Sequence, residues 1–426
     1  MTDHRVASLS PLEEALLLWH EVNGGWRFEL GVSAPTLDPQ RLEAAFDSAL
    51  AHHQLARCAV HADERGGFHW VHDPDATIGP IEVVECADDA ARQRVVLAQI
   101  ATPMALDEAP LVRAVIARCG DRDVLSAGFS HVLADGLGGF RFLRSVARAY
   151  RGEPDPAPVV DIAAAHAALA SAPSSNWSGL AQKWTTRLDL AATAVTARSP
   201  LASSGGRVGA GAGATTRSVP MAALGAAAHR HAGSFGAHAM AALHVTIQRW
   251  NRAHNAVCDH VGVSQAVNLR PADWHDDVVA SMAAITSVLS RPVDRVDVET
   301  AMARLGPQLT AEVQRARARE FVAASAAGRL VPYALRRRAL AAVPREQFDT
   351  CMLSNFGAVA DPPSFTDDSH HAISVTTAAM PLLPVGIAIY TAFAQVHLMV
   401  MYRGEYFDEN GVNAFVDEYV EALSRG

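Results

Sequence analysis

Two stretches of unusual composition divide this 426-residue chain and limit what it can fold into. Gly152–Val159 carries three prolines, and Ser203–Thr216 is almost wholly Gly, Ala, Ser and Thr. Such stretches read as mobile connections on either side of a peripheral helix. The expected organisation is therefore an N-terminal unit over residues 1–155, a linker with a peripheral helix over 156–217, and a C-terminal unit over 218–426. The hydrophobic fraction of 50% and charged fraction of 19% suit a globular protein and are too apolar for a disordered chain.

In the first unit, Ser10-Pro11-Leu12-Glu13 has the hydroxyl, proline and third-position acid that start a helix. Leu42, Ala45, Phe46, Ala49 and Leu50 form one stripe of a second helix ending near His52-His53. Strands are expected at 27–32, 54–61, 67–72, 111–118 and 124–129, with a helix over 88–102. Beyond the linker the spacing predicts helices from Val219 to about His231, over 235–250, over 298–318 and over 409–423. Strands are expected at 261–269 and 350–353, with a closing pair formed by 371–378 and 386–402. Both units thus alternate helices and strands, which predicts two layered domains facing each other across a cleft.

With 36 basic against 45 acidic residues, the net charge of −9 offers no field for a polyanion, and nucleic acid is not an expected partner. Cys58, Cys86, Cys119, Cys258 and Cys351 are scattered, odd in number and without a Cys-x-x-Cys pair, which argues against disulfides and zinc. No signal-peptide core and no spanning apolar run is evident, so a cytoplasmic protein without a transmembrane segment is expected.

The segment that points to chemistry is Ser130-His131-Val132-Leu133-Ala134-Asp135-Gly136, where an apolar strand runs into a glycine-rich helix start. A tight loop there would let the imidazole project into a cleft while the carboxylate braces the backbone, and histidine suits proton transfer near neutral pH. Asp135 also has a plain alternative role as the cap of the following helix.

Phe129–Gly136 resembles the His-His-x-x-x-Asp-Gly signature of the condensation-domain-like, thioester-dependent acyltransferases, with Ser130 in place of the first histidine. Further matches follow in family order: Leu9-Ser10-Pro11, Leu42–Arg57, Leu106–Ala114, Val267-Asn268-Leu269-Arg270-Pro271 and Leu353-Ser354-Asn355-Phe356-Gly357. The resemblance covers essentially the whole chain and implies two chloramphenicol acetyltransferase-like, mixed-sheet α/β subdomains with an active-site tunnel between them. It implies a free-standing acyltransferase of specialised metabolism that moves an acyl group from a coenzyme A or carrier-protein thioester to a hydroxyl or amine of a small molecule. No cofactor is expected to be tightly bound. His131 takes the general-base position, and Asp135, Gly136 and Arg270 are expected to support the loop, Asp135 pairing with Arg270. Ser130, Ser354 and Asn355 are candidates for oxyanion or substrate contacts. The alternatives are a cyclisation or other reaction on the same scaffold, altered at Ser130, or a member that only docks a carrier protein.

Other groupings carry less. His52-His53, His69 with His72, and His370-His371 lack carboxylates or cysteines at ligand spacing, and no metal is assigned. His229, His231, His238 and His244 fall on the helices expected after the linker. Arg315, Arg317, Arg319 and Arg336-Arg337-Arg338 are candidates for a coenzyme A phosphate or an acidic carrier protein, against the plainer reading of a solvated helix face.

Overall fold

The computed structural model describes residues 4–64, 66–155, 160–170, 187, 191–224, 235–274, 278–359, 361–366, 373–377 and 383–425. The first half runs β1 (Arg5–Ser8), α1 (Pro11–Val22), β2 (Arg27–Pro35), α2 (Pro39–His52), β3 (Cys58–Ala62), β4 (Phe68–His72), β5 (Glu82–Glu85), α3 (Asp89–Ala101), β6 (Val112–Cys119), β7 (Arg122–Ser130) and α4 (Gly136–Arg151). Each of these helices starts on a side-chain cap that satisfies orphan amides. Ser10 and Glu13 form a reciprocal capping box, and Asp38, Asp88 and Asp135 each accept an N–H from the first turn of their helix.

The second half continues with α5 (Ile162–Ala170), β8 (Ala212–Pro220), α6 (Phe235–Ala253), β9 (Val261–Asn268), β10 (Ala283–Ser290), α7 (Val298–Leu305), α8 (Ala311–Gly328), α9 (Tyr333–Ala341), β11 (Cys351–Ala358), β12 (Ile373–Thr377), β13 (Val385–Ala392), β14 (Gln395–Arg403) and α10 (Glu409–Arg425). Two mixed sheets carry the α/β architecture, one of five strands ordered β12-β2-β7-β6-β5 and one of six ordered β10-β9-β11-β13-β14-β8. A three-stranded sheet, β1-β4-β3, lies beside them. On β2 the side chains alternate, so Phe28 and Leu30 press on Gly139 of α4 while Glu29 turns to the opposite face. One hydrophobic core runs from the first half through Val278, Met282 and Ala284 to Met352, Val375 and Tyr390, and a second lies wholly within the second half.

Several expectations needed correction. The closing strand pair does not form: β12 crosses to the other half and pairs antiparallel with β2, from Ile373↔Val32 to Thr377↔Phe28. Residues 386–402 instead fold on themselves as the β13–β14 hairpin, reversing through Phe393 and Ala394 at φ 51° and 55°. No glycine or asparagine marks that turn, so it was hidden from turn chemistry. The Gly/Ala/Ser/Thr stretch contributes β8, an edge strand in which Gly213 lies flat against Tyr402; a Cβ there would stand 2.3 Å from the ring. Val219 and Pro220 end that strand, a helix starts two residues later than expected with 221–224, and its expected continuation to about His231 lies outside the described residues. Gly306-Pro307 interrupts the helix expected over 298–318, and Thr310 caps a fresh start for α8.

Candidate active site

His131 immediately follows β7, and its backbone is fixed from both halves of the molecule. Its N–H donates to Trp26 O at 3.0 Å, and Ser281 Oγ donates to its carbonyl at 2.6 Å. The ring packs against Trp26, with centroids 4.4 Å apart, and Phe28 presents an edge at 5.4 Å. Nδ1 has no hydrogen-bond partner on another residue. Burial lowers the pKa of His131 from its ordinary 6.5, and the Asp135 charge and the residue's own carbonyl only partly oppose this. The imidazole is therefore held neutral. In the neutral ring one nitrogen carries the proton and the other is free to act as a base.

Asp135 is the strut beneath this loop. Its carboxylate pairs with Arg270 through two hydrogen bonds, Nη1 to Oδ2 at 2.7 Å and Nη2 to Oδ1 at 2.9 Å, and it accepts the amides of Gly138 and Met282 at 2.9 and 2.8 Å. Burial opposes ionisation of Asp135, but Arg270 and the two amides outweigh it and hold the carboxyl below the usual range. Arg270 follows β9 and also donates to Ala280 O at 2.9 Å. The pair thus ties the start of α4 to the second sheet and supplies the helix cap as well. Gly136 and Gly138 permit the close approach. A Cβ on Gly136 would fall 2.1 Å from the Phe356 ring, and one on Gly138 would fall 2.9 Å from Ala280 O.

His131, Gly136, Asn268, Ser354, Asn355 and Phe356 line a narrow cavity of about 80 Å³ between the two sheets. It shares the walls Trp26, Ala283, Ile285 and Met352 with a chamber of about 820 Å³ bounded by α1, α8 and the ends of β9 and β10. Asn355 Oδ1 accepts Gly357 N at 2.9 Å, which leaves the amide nitrogen as its donor. Ser130 stands apart: it is fully buried, its Oγ accepts Val132 N at 3.3 Å, and it does not line the cavity. A neutral imidazole, Gly136 and Leu137 at the start of α4, and Ser354 and Asn355 thus border one space between apolar walls. Proton removal from a nucleophile beside a developing oxyanion is the chemistry such a set can perform.

Sequence reasoning missed Trp26, Phe28 and Ser281, which hold His131 from outside its own segment and belong to no motif. It also missed the carboxylate near His52-His53. Asp155, just past α4, brings a ligand atom within 4.8 Å of theirs. That carboxylate is engaged by Arg141 at 2.8 and 3.0 Å, by Arg148 at 3.3 Å and by Ser145, so two guanidiniums already neutralise the place a cation would take. His53 Nε2 meets Ser145 Oγ at 2.8 Å, and burial lowers its pKa to about 3. His69 pairs with Asp63 at 2.6 Å, while His238 and His244 are buried in α6, hydrogen-bonded to Leu423 O and Ser290 Oγ. His229, His231, His370 and His371 lie outside the described residues. Arg336 and Arg337 pair with Glu14 and Glu21 of α1, and buried Arg317 reaches Gln308, so these arginines fasten α8 and α9 to the body of the protein. Arg315, Arg319 and Arg338 lie exposed on the same two helices.

The fold is condensation-domain-like. SgcC5 of Streptomyces globisporus superposes with a TM-score of 0.66 at 17% identity, covering 98% of both chains. A mutant starter condensation domain of rhizomide synthetase, in complex with C8-CoA and Leu-SNAC, gives 0.70 at 15% identity over 98% of this chain and 93% of its own. The EpoB cyclization-docking bidomain from Sorangium cellulosum gives 0.69 at 14% identity over 99% and 85%. No protein-family model matches the chain. In sequence it is 30% identical over 385 residues to the uncharacterized protein Rv2305 of Mycobacterium tuberculosis H37Rv, covering 86% of this chain and 87% of the relative, and the chain belongs to that protein's family. Among the described residues, no helix is long and apolar enough to cross a membrane.

Proposed function

We propose that the protein is a free-standing acyltransferase that moves an acyl group from a coenzyme A or carrier-protein thioester to a hydroxyl or amine of a small molecule, with His131 as general base. The observation that carries this reading is the neutral, buried imidazole on the wall of the small cavity that adjoins the larger chamber, in a loop pinned from the opposite half by Arg270. His131 takes the proton of the acceptor as its oxygen or nitrogen attacks the thioester carbonyl carbon. The tetrahedral oxyanion falls to the amides of Gly136 and Leu137 and to Ser354 and Asn355, where one well-placed donor contributes about 3–4 kcal/mol. The carbon–sulfur bond then breaks, and the imidazolium returns its proton to the thiolate.

The fold by itself serves several reactions, as its likeness to a cyclization domain and an epimerization domain illustrates. The test is intact-mass product screening with acetyl, medium-chain and long-chain thioesters against alcohol and amine panels. Transfer by the wild-type chain that His131→Ala abolishes is the expected result. Undiminished transfer by that variant removes His131 from the base role, and dehydrated or cyclised products in place of esters or amides establish the alternative reaction.

A further inference from the structure

The chamber beside the His131 cavity is apolar over most of its wall, from Leu12, Leu16, Trp19 and Phe321 to Met352. One spot departs from this. Ser264 of β9 and Ser287 of β10, direct partners across the sheet, both line the chamber with Asp349 and Arg198. The Asp349 carboxylate accepts Ser287 Oγ at 2.7 Å, Ser264 Oγ at 2.5 Å and Arg198 Nε at 3.1 Å, and the side chains of the Arg198–Asp349 pair are 5% and 6% exposed.

The hydrogens of both hydroxyls are therefore committed to the carboxylate, and the pair Arg198–Asp349 carries no net charge. What the two serines can still offer the chamber is lone pairs, so at these hydroxyls the spot accepts hydrogen bonds. It is placed at a definite reach from the reacting centre. Ala283 and Ile285 belong to the walls of both cavities, whereas Ser287 belongs to the chamber alone. Four residues of strand from Ala283 to Ser287 span about 13 Å. At about 820 Å³ the chamber is of the size that encloses a drug-sized ligand.

We infer that the chamber binds an elongated, mainly apolar molecule carrying a second polar group, a hydrogen-bond donor such as a hydroxyl, that docks on Ser264 and Ser287 while the near end reaches His131. The inference rests on the acyl-transfer reading for the role of the near end, but the binding itself does not. The apolar body gains by leaving water, and the distal donor finds acceptors that an unfunctionalised chain leaves unpaired, which gives selectivity between two ligands of equal length.

The test is calorimetric titration of the full chain, without thioester, using decane-α,ω-diol and decanol. The diol is expected to bind about tenfold more tightly, and Ser264→Ala/Ser287→Ala is expected to erase that preference while leaving the decanol affinity in place, which shows the chamber intact. Equal affinities in the wild type, a preference that survives the double variant, or no binding of either alcohol overturns the inference. Acyl transfer to a short acceptor, measured on the same preparation, separates the two readings: turnover without the diol preference sinks the chamber assignment alone, and the preference without turnover sinks acyl transfer alone.

Discussion

Replacing Asp135 by Asn isolates the strut from the chemistry. The carboxylate receives two hydrogen bonds from Arg270 and one each from the amides of Gly138 and Met282. The Asn oxygen can still cap α4, since Asn and Asp serve equally at that position. Its NH2 would face donors, and the Arg270 charge, whose side chain is 1% exposed, would lose its counter-ion. Breaking a buried pair from one side costs about 3–5 kcal/mol. At roughly 2–4 °C per kcal/mol for domains of this size, the melting temperature should fall by about 10 °C. Activity should fall with it, because the same carboxylate sets the distance between the His131 loop and the second sheet. Removing the orphan charge as well, in Asp135→Asn/Arg270→Met, should recover a large part of the lost stability without restoring full activity. Scanning calorimetry with a transfer assay well below the transition reads both. A variant as stable as wild type but inactive would place Asp135 in the proton path, and one unchanged in both respects would refute the strut.

Two pH responses follow from burial. The lowered pKa of His131 keeps the base neutral, so kcat/KM for acyl transfer should hold level as pH falls past 6.5, the ordinary imidazole value; a midpoint at or above it refutes the assignment of a desolvated base. Burial raises the Glu29 carboxyl from 4.5 to about 7, against the Ser126 hydroxyl that donates to it. The folded chain then keeps a proton that the unfolded chain releases between those values, so stability falls as pH rises through that window, by about 3 kcal/mol in all, and is level above it. Glu29→Gln should flatten this slope, raising the urea midpoint near pH 8 relative to wild type; an identical pH profile in the variant refutes it.

Local chemistry made much of the fold readable. The Ser10 box and the apolar stripe of α2 each specify a helix from adjacent residues, and each is found where the spacing put it. The resemblance carried further, placing Gly136, Ser354 and Asn355 around one cavity with His131 and pairing Asp135 with Arg270. What escaped depends on partners distant in the chain. Ile373–Thr377 has the composition of any short strand, and nothing in it tells whether β13 or β2 will take its hydrogen bonds. The glycines and alanines of β8 read as a loop until Tyr402 is set against Gly213, because an edge strand needs little side-chain burial. Asp155 reads as one acid in a proline-rich stretch, and only the fold sets it between Arg141 and the His52-His53 pair.

The crossing of β12 has a mechanical consequence. The second half of the chain sends one strand into the five-stranded sheet, beside β2, whose Phe28 and the preceding Trp26 hold the His131 ring. Sliding along the β12–β2 seam by one residue would turn Ile373 and Val375 out of the core, so the crossing fixes this strand from the second half in one register on β2. A chain cut between the halves would leave β2 as a bare edge, its ladder of amides and carbonyls unmet.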